Sequence, residues 1–515
     1  MRWTSILMVT AMAAGLAACH KTPAADETPA PALQVAPPGV EIAWRDGDVD
    51  DALAEAKESG KPVLLYWGAK WCPPCNQLKS TLFRDPNFIA ETRNFVPVHL
   101  DGDTAGAQKW GERFGISGYP TVIVLRADGS EVARLSGATP RLAQVLRLAA
   151  GRTTSIDDLF AKAYKDPSAL TPQEWQLLAA FDWQNDQKHF GDHARLVALL
   201  DRLAGAAPDG AIKRRFELLS LSVAADPKSL TPAQVTEINQ VLPQVLAHPD
   251  EVVADRQDLS YAIPSLVAAL PAGQGRATLG NSLIKALDGV YNNAGLAIPD
   301  RLGTLNADIA LSQADGAHVS PAVLAKVRDR VAWADRSATD PMVRQSVISN
   351  AADLLHQAGD DAGAKTLLQA ELKRSASPYY YMLDLAGIAE DEKDGKGAIA
   401  WARQAYETSQ GQATRVQWAI EYSKTVLRQA PDDKAQVEQS ADAVMAELGK
   451  NTGSYYQRTR VKVTAWGELL RKWSKAHNGG AVLAKVDKQM TGVCAQQGEA
   501  AAKCRAWTKE GAKTA

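Results

Sequence analysis

A preponderance of one charge is absent from this 515-residue chain: 57 Lys and Arg stand against 59 Asp and Glu, a formal net charge of −2. That balance supplies no cationic field for nucleic acid, so no such partner is expected. A membrane-spanning run is also missing at the N-terminus, where the apolar stretch Ile6 to Leu16 is too short for a stable anchor. Cysteine is scarce, five in all: Cys19, Cys72, Cys75, Cys494 and Cys504. Zinc at Cys72 and Cys75 would need two further ligands at suitable spacing, and none sits nearby. No metal or other cofactor is expected. His189 and His193 have helical spacing, but Gly191 between them weakens a helix, and they read as solvent-facing. Apolar residues are plentiful enough for large cores, and the length suggests two to four domains.

What is present begins with an address. Arg2 gives a minimal positive region, and residues 1–18 read as a signal peptide. The sequence Leu16-Ala17-Ala18-Cys19 resembles the bacterial lipoprotein signal, which implies lipidation of Cys19 as the first mature residue. An ordinary secretory signal cut nearby is the simpler alternative. His20, rather than Asp, resembles the outer-membrane sorting pattern, so the periplasmic face of a bacterial membrane is expected, the outer membrane favoured. Without Cys19, two cysteine pairs remain, an even number that fits an oxidising compartment. Residues 19–39, rich in Pro and Ala, read as an extended tether with a reach of about 50–60 Å.

Residues 40–151 alternate strands and helices. Strands are expected at Ile42–Trp44, Pro62–Trp67, Phe95–Leu100, Thr121–Leu125 and Glu131–Leu135, the last two joined through Asp128-Gly129. Helices are expected at Val49–Ser59, Pro73–Leu82, Gln108–Phe114 and Arg141–Ala150, with a short one opened by Asp85-Pro86. Trp71-Cys72-Pro73-Pro74-Cys75 falls where a buried strand meets a helix start. There the helix dipole and free N–H groups favour a thiolate at Cys72, the attacking species in disulfide exchange. Cys75 is the resolving thiol. Pro73 and Pro74 remove two donors that would stabilise the thiolate, which disfavours a strong oxidant.

This order, the cysteine motif and Gly118-Tyr119-Pro120-Thr121 resemble the thioredoxin family. Thr81 to Pro86 is similar to periplasmic members, including the C-terminal domain of the transmembrane thiol reductase DsbD. The resemblance implies a cis proline at Pro120 facing the dithiol, with Tyr119 and Trp71 as walls of the site. It also implies a buried Asp where this chain has Tyr66, a phenol that is a poor base at neutral pH. A water, Lys57 or a nearby carboxylate would then take the proton, or resolution is slower.

Residues 155–515 read as helix after helix, a separate region expected to fold alone. Sixty residues apart, Thr171-Pro172 and Thr231-Pro232 each start a helix, with Glu174 and Gln234 completing capping boxes. Asp360, Gly363, Ala364 and Leu372 echo Asp394, Gly397, Ala398 and Tyr406, which resembles a divergent tetratricopeptide-like array; a generic helical solenoid or bundle is the alternative. Tyr379-Tyr380-Tyr381 with Trp333, Trp401, Trp418 and Trp466 would line a peptide groove or pack between helices. Cys494 and Cys504 would lie ~15 Å apart along one helix, so a structural disulfide needs the chain to turn, at Gly498; two free thiols or a second redox relay are the alternatives.

The expected whole is an α/β thioredoxin fold followed by a large all-α region: an extracytoplasmic thiol–disulfide oxidoreductase that reduces protein disulfides and is recharged by a membrane thiol reductase. A redox-regulated helical scaffold, or an oxidase or isomerase on the same fold, are the rival readings.

Overall fold

A computed structural model describes residues 37, 40–137, 141–151, 154–183, 189, 192–314, 316, 318–450, 455–498, 501–505 and 507. The residues read as a signal peptide, Cys19 and, Pro37 apart, the expected tether lie outside the described residues. Five strands form one sheet in the order β1-β3-β2-β4-β5, with β1 at Arg45–Asp46, β2 at Val63–Gly68, β3 at Val96–Asp101, β4 at Thr121–Leu125 and β5 at Glu131–Ser136. The continuous apolar run of β2 marks a strand buried on both faces. It pairs parallel with β3, Leu65 opposite Val98, and antiparallel with β4, Leu65 opposite Ile123. Asp128 and Gly129 make the β4–β5 hairpin, Gly129 at φ 82°.

The helices of this part are α1 (Val49–Ser59), α2 (Pro73–Ser80), α3 (Pro86–Thr92), α4 (Ala105–Phe114) and α5 (Leu142–Ala149). Asp48 caps α1 at its start and Gly60, in the left-handed region, ends it. Three boundaries differ from the sequence reading. Helix α4 starts three residues before Gln108, because the Thr104 hydroxyl caps it by accepting from Ala107 N–H at 3.2 Å. Helix α2 stops at Ser80, and Leu82–Arg84 forms a separate 3-10 turn. The first strand is Arg45–Asp46 rather than Ile42–Trp44, whose two apolar side chains pack on the core instead.

The two faces of the sheet have different neighbours. One, with Leu65, Trp67 and Ile123, packs against Val49, Ala56 and Phe114. The other, with Leu64, Tyr66 and Val124, packs against Phe88 and Leu146, and the same core runs on through Ile156, Phe160, Trp175, Trp183 and Phe216. So one core crosses the boundary drawn at Gly151. Beyond it the described chain is helical as far as Ala501–Arg505. Thr171 with Glu174, and Thr231 with Gln234, form complete capping boxes. Helix Pro341–Gln357 returns to pack on α2, and helix Gln457–Ala476 packs on α4. The helical array therefore starts on one face of the sheet and comes back over the end of β2.

Candidate redox site

Strand β2 ends at Gly68, and the chain turns through Ala69 to Trp71 into α2. Cys72 is the N-cap of α2, and its Sγ accepts from the Cys75 backbone N–H at 3.2 Å. Pro73 and Pro74 fill the first helical turn, where no intrahelical partner awaits an N–H. The two cysteines form a disulfide with Cα atoms 5.2 Å apart. Cys72 is 2% exposed and Cys75 0%.

The Trp71 indole donates to Asp103 at 2.6 Å, and its ring lies 6.0 Å from that of Tyr119. The Tyr119 hydroxyl accepts from Gln108 at 2.9 Å and donates to the Gly102 carbonyl at 3.2 Å. Gly102 leaves room for this ring; a Cβ there would overlap it. The Tyr119–Pro120 bond is cis, and Pro120 is buried. Burial holds the Tyr119 phenol above its ordinary pKa. It also raises that of Asp103, against hydrogen bonds from Trp71 and Thr414 that lower it.

Tyr66 occupies an aromatic nest, with ring centroids 5.4 Å from Trp44, 5.0 Å from Phe83 and 5.2 Å from His99. Burial pushes its phenol further up. It cannot serve as a base near neutral pH. Burial favours the neutral form of His99, next to Asp46 at 3.2 Å. Lys57 is exposed on the far turn of α1. The carboxylate nearest the motif by hydrogen bonding is Asp103, reached through Trp71.

The remaining walls come from the helical region. Tyr379, Met382, Ala405 and Trp418 are buried in one cluster with Trp71, Cys72 and Cys75. Tyr380 stacks on Trp71 at 6.5 Å and meets Trp418 edge-on at 4.8 Å. The Arg458 guanidinium lies 4.6 Å from the Tyr119 ring centroid and 5.5 Å from that of Trp71. Tyr379, Tyr380 and Trp418 thus close on the dithiol, whereas Tyr381 packs in a separate helical core with Leu354 and Leu385, Trp466 packs in the core near Trp507 and Trp333 packs on Tyr291. Asp103, Gln108, Gln345, Thr414 and Arg458 carry no motif that sequence reading could catch. Their partners are set by the fold.

Away from this site, Cys494 and Cys504 form a second disulfide, Cα atoms 5.3 Å apart, with Gly498 at φ 53° between them. His189 is not solvent-facing: its side chain is buried beside Phe160, 3.2 Å from Asp157, while His193 is the first residue of a helix.

Residues 49–150 match the family model for the thioredoxin-like domain. The thiol:disulfide interchange protein DsbD 1 of Pseudomonas aeruginosa is 30% identical over 107 residues, 20% of this chain and 18% of that protein. An H-type thioredoxin of Oryza sativa subsp. indica is 32% identical over 102 residues, 19% of this chain and 78% of that protein. The solution structure of a thioredoxin from Thermus thermophilus aligns at 29% identity over 21% of this chain and 86% of its own, TM-score 0.19. The chain spans under a fifth of the interchange protein's length but most of the plant thioredoxin's. Through residues 49–150, the chain belongs to the thioredoxin-like family.

Proposed function

We propose that this protein is an extracytoplasmic thiol–disulfide oxidoreductase that reduces protein disulfides. The observation that carries the reading is Cys72 at the N-cap of α2, with Cys75 one turn deeper and bonded to it. In the reduced state the Cys72 thiolate attacks a substrate disulfide, one substrate sulfur leaves as a thiol, and a mixed disulfide forms. Cys75 then attacks Cys72, releases the second substrate thiol and closes the Cys72–Cys75 bond. Two electrons have passed to the substrate. A membrane thiol reductase returns them. The absence of N–H donors at Pro73 and Pro74 supports the reducing direction, because a less stabilised thiolate makes a weaker oxidant. The lipoprotein-like Leu16-Ala17-Ala18-Cys19 supports a lipid anchor at Cys19 and a periplasmic location. An oxidase or isomerase on the same fold would differ in its reduction potential.

The test is a Cys75→Ser variant of the full chain, which should accumulate mixed disulfides through Cys72 with exported proteins. A Cys72→Ser variant should trap none and should lose exchange activity. Equal activity of Cys72→Ser and wild type would leave the helical region as a scaffold and the disulfide as its regulator.

A further inference from the structure

Disulfide exchange requires a sulfur nucleophile to reach the Cys72 Sγ along the line of the bond being broken. The two cysteines at the centre of this reading are closed off from such an approach, at 2% and 0% exposed and buried in one cluster with Tyr379, Met382, Ala405 and Trp418. This cover is fastened by polar contacts. Gln345 donates to the Trp71 carbonyl at 2.8 Å, and its side-chain oxygen accepts from Asn76. One amide thus grips the residue before Cys72 and the residue after Cys75. Thr414 donates to Asp103 at 2.8 Å, on the carboxylate that also holds the Trp71 indole. A Cβ at Gly411, which has φ 95°, would strike the same carboxylate. Buried polar groups matched in this way mark two surfaces shaped for each other.

The geometry points to the helical region as the selectivity element of the redox centre. Exchange at Cys72 runs only through the population in which the Tyr380–Trp418 wall has lifted, and Gln345 and Thr414 set that population. The inference rests on the oxidoreductase reading above. It adds which protein disulfides are admitted: those on extended or unfolded segments able to enter a narrow or brief opening, before those held in folded domains, with a small dithiol serving as the probe of the opening itself. The reaction at the opened site is ordinary. A thiolate of the reductant attacks Cys72 and Cys75 leaves as a thiol. The reductant's second thiol then releases Cys72 and closes the reductant's own disulfide, so two electrons enter the protein.

The probe is dithiothreitol, added to the oxidised full-length protein, with quenching by an alkylating reagent and mapping of Cys72 and Cys75. The reference is the oxidised peptide spanning residues 69–78. Wild type should react at least about tenfold more slowly than the peptide. Gln345→Leu and Thr414→Val should each be several-fold faster than wild type, and the pair about tenfold faster, because each removes hydrogen bonds made only in the closed form. Thr414→Ser keeps its hydroxyl and should match wild type. Reduction of wild type at the peptide's rate overturns the proposal, whether or not any variant folds. So does a slow wild type with equally slow, cooperatively folded variants. An opened variant that reacts quickly with dithiothreitol but passes no electrons to a protein disulfide such as insulin would keep the gate and defeat the oxidoreductase reading instead.

Discussion

Asp384 lies on the helix that brings Tyr379 and Tyr380 to the dithiol, and it is a carboxylate in the wrong solvent. Burial pushes its pKa up to about 6, and the negative charge of Asp353 adds to the shift. The unfolded chain would release that proton near pH 4. Between about pH 4 and pH 6 the native state therefore holds a proton that the unfolded state has lost. Stability from this group is full below that window and falls as pH rises through it. At pH 7.5 the loss is on the order of 2–3 kcal/mol. Asp384→Asn should be more stable than wild type by about that amount at pH 7.5, and the gain should shrink towards pH 4. Urea melts of both proteins at the two pH values decide it; a gain that stays constant with pH would show that Asp384 does not titrate there. Tyr66 shows the same physics with the opposite outcome, since burial keeps a phenol neutral at every working pH.

At the scale of elements, local capping explains the echo between Asp360-x-x-Gly363 and Asp394-x-x-Gly397. Each aspartate accepts from the glycine N–H, at 3.1 Å and 2.9 Å. A Cβ at Gly363 would stand 2.7 Å from the Asp360 carboxylate, and one at Gly397 would overlap that of Asp394. A side chain at either glycine would make its capping carboxylate shift. Asp394→Ala should cost about 1 kcal/mol, read as a lower urea midpoint with unchanged slope. An unaltered midpoint would mean that water replaces the cap at no cost.

The C-terminal disulfide works at the same scale. Cys494 ends one helix, Cys504 sits in the next, and both are fully buried with Trp466 and Trp507 nearby. Closing so short a loop should add roughly 2–3 kcal/mol. Mapping under non-reducing conditions should find the pair bonded to each other in protein purified under oxidising conditions, and alkyl label on either residue there would refute this. Exchange of either with Cys72 or Cys75 during turnover would make it a relay.

For the whole molecule, the shared core changes one expectation. Ile156, Phe160, Trp175, Trp183 and Phe216 pack in the same core as Leu64, Tyr66 and Val124. Asp182 also accepts from the Ser136 backbone at 2.8 Å. Residues 155–515 expressed alone would expose this apolar face. Their thermal melt, followed by circular dichroism, should show a lower midpoint than the full chain and early loss of the first helices. A single transition at the full-chain midpoint would restore the independent helical region. Ion pairs of Glu112 with Arg460 at 3.1 Å and with Lys503 tie the far end of the array to α4 as well.

Local signals made part of this protein readable without coordinates. The apolar run of β2, the Thr-Pro helix starts and the spacing of Cys72 and Cys75 act over a few residues, where steric and hydrogen-bonding preferences are set by neighbours in sequence. The order of strands and helices followed from them. The boundary that shifted at Thr104 turned on a single cap. What closes over the dithiol was beyond such reading. Gln345 meets Asn76 across 269 residues, and Thr414 meets Asp103 across 311. Neither side chain differs by type or spacing from many others in the helical region. Only the path of the array back to the redox helix, set by burial of apolar faces along the way, decided that they would meet there, and with them whether Cys72 faces solvent or protein.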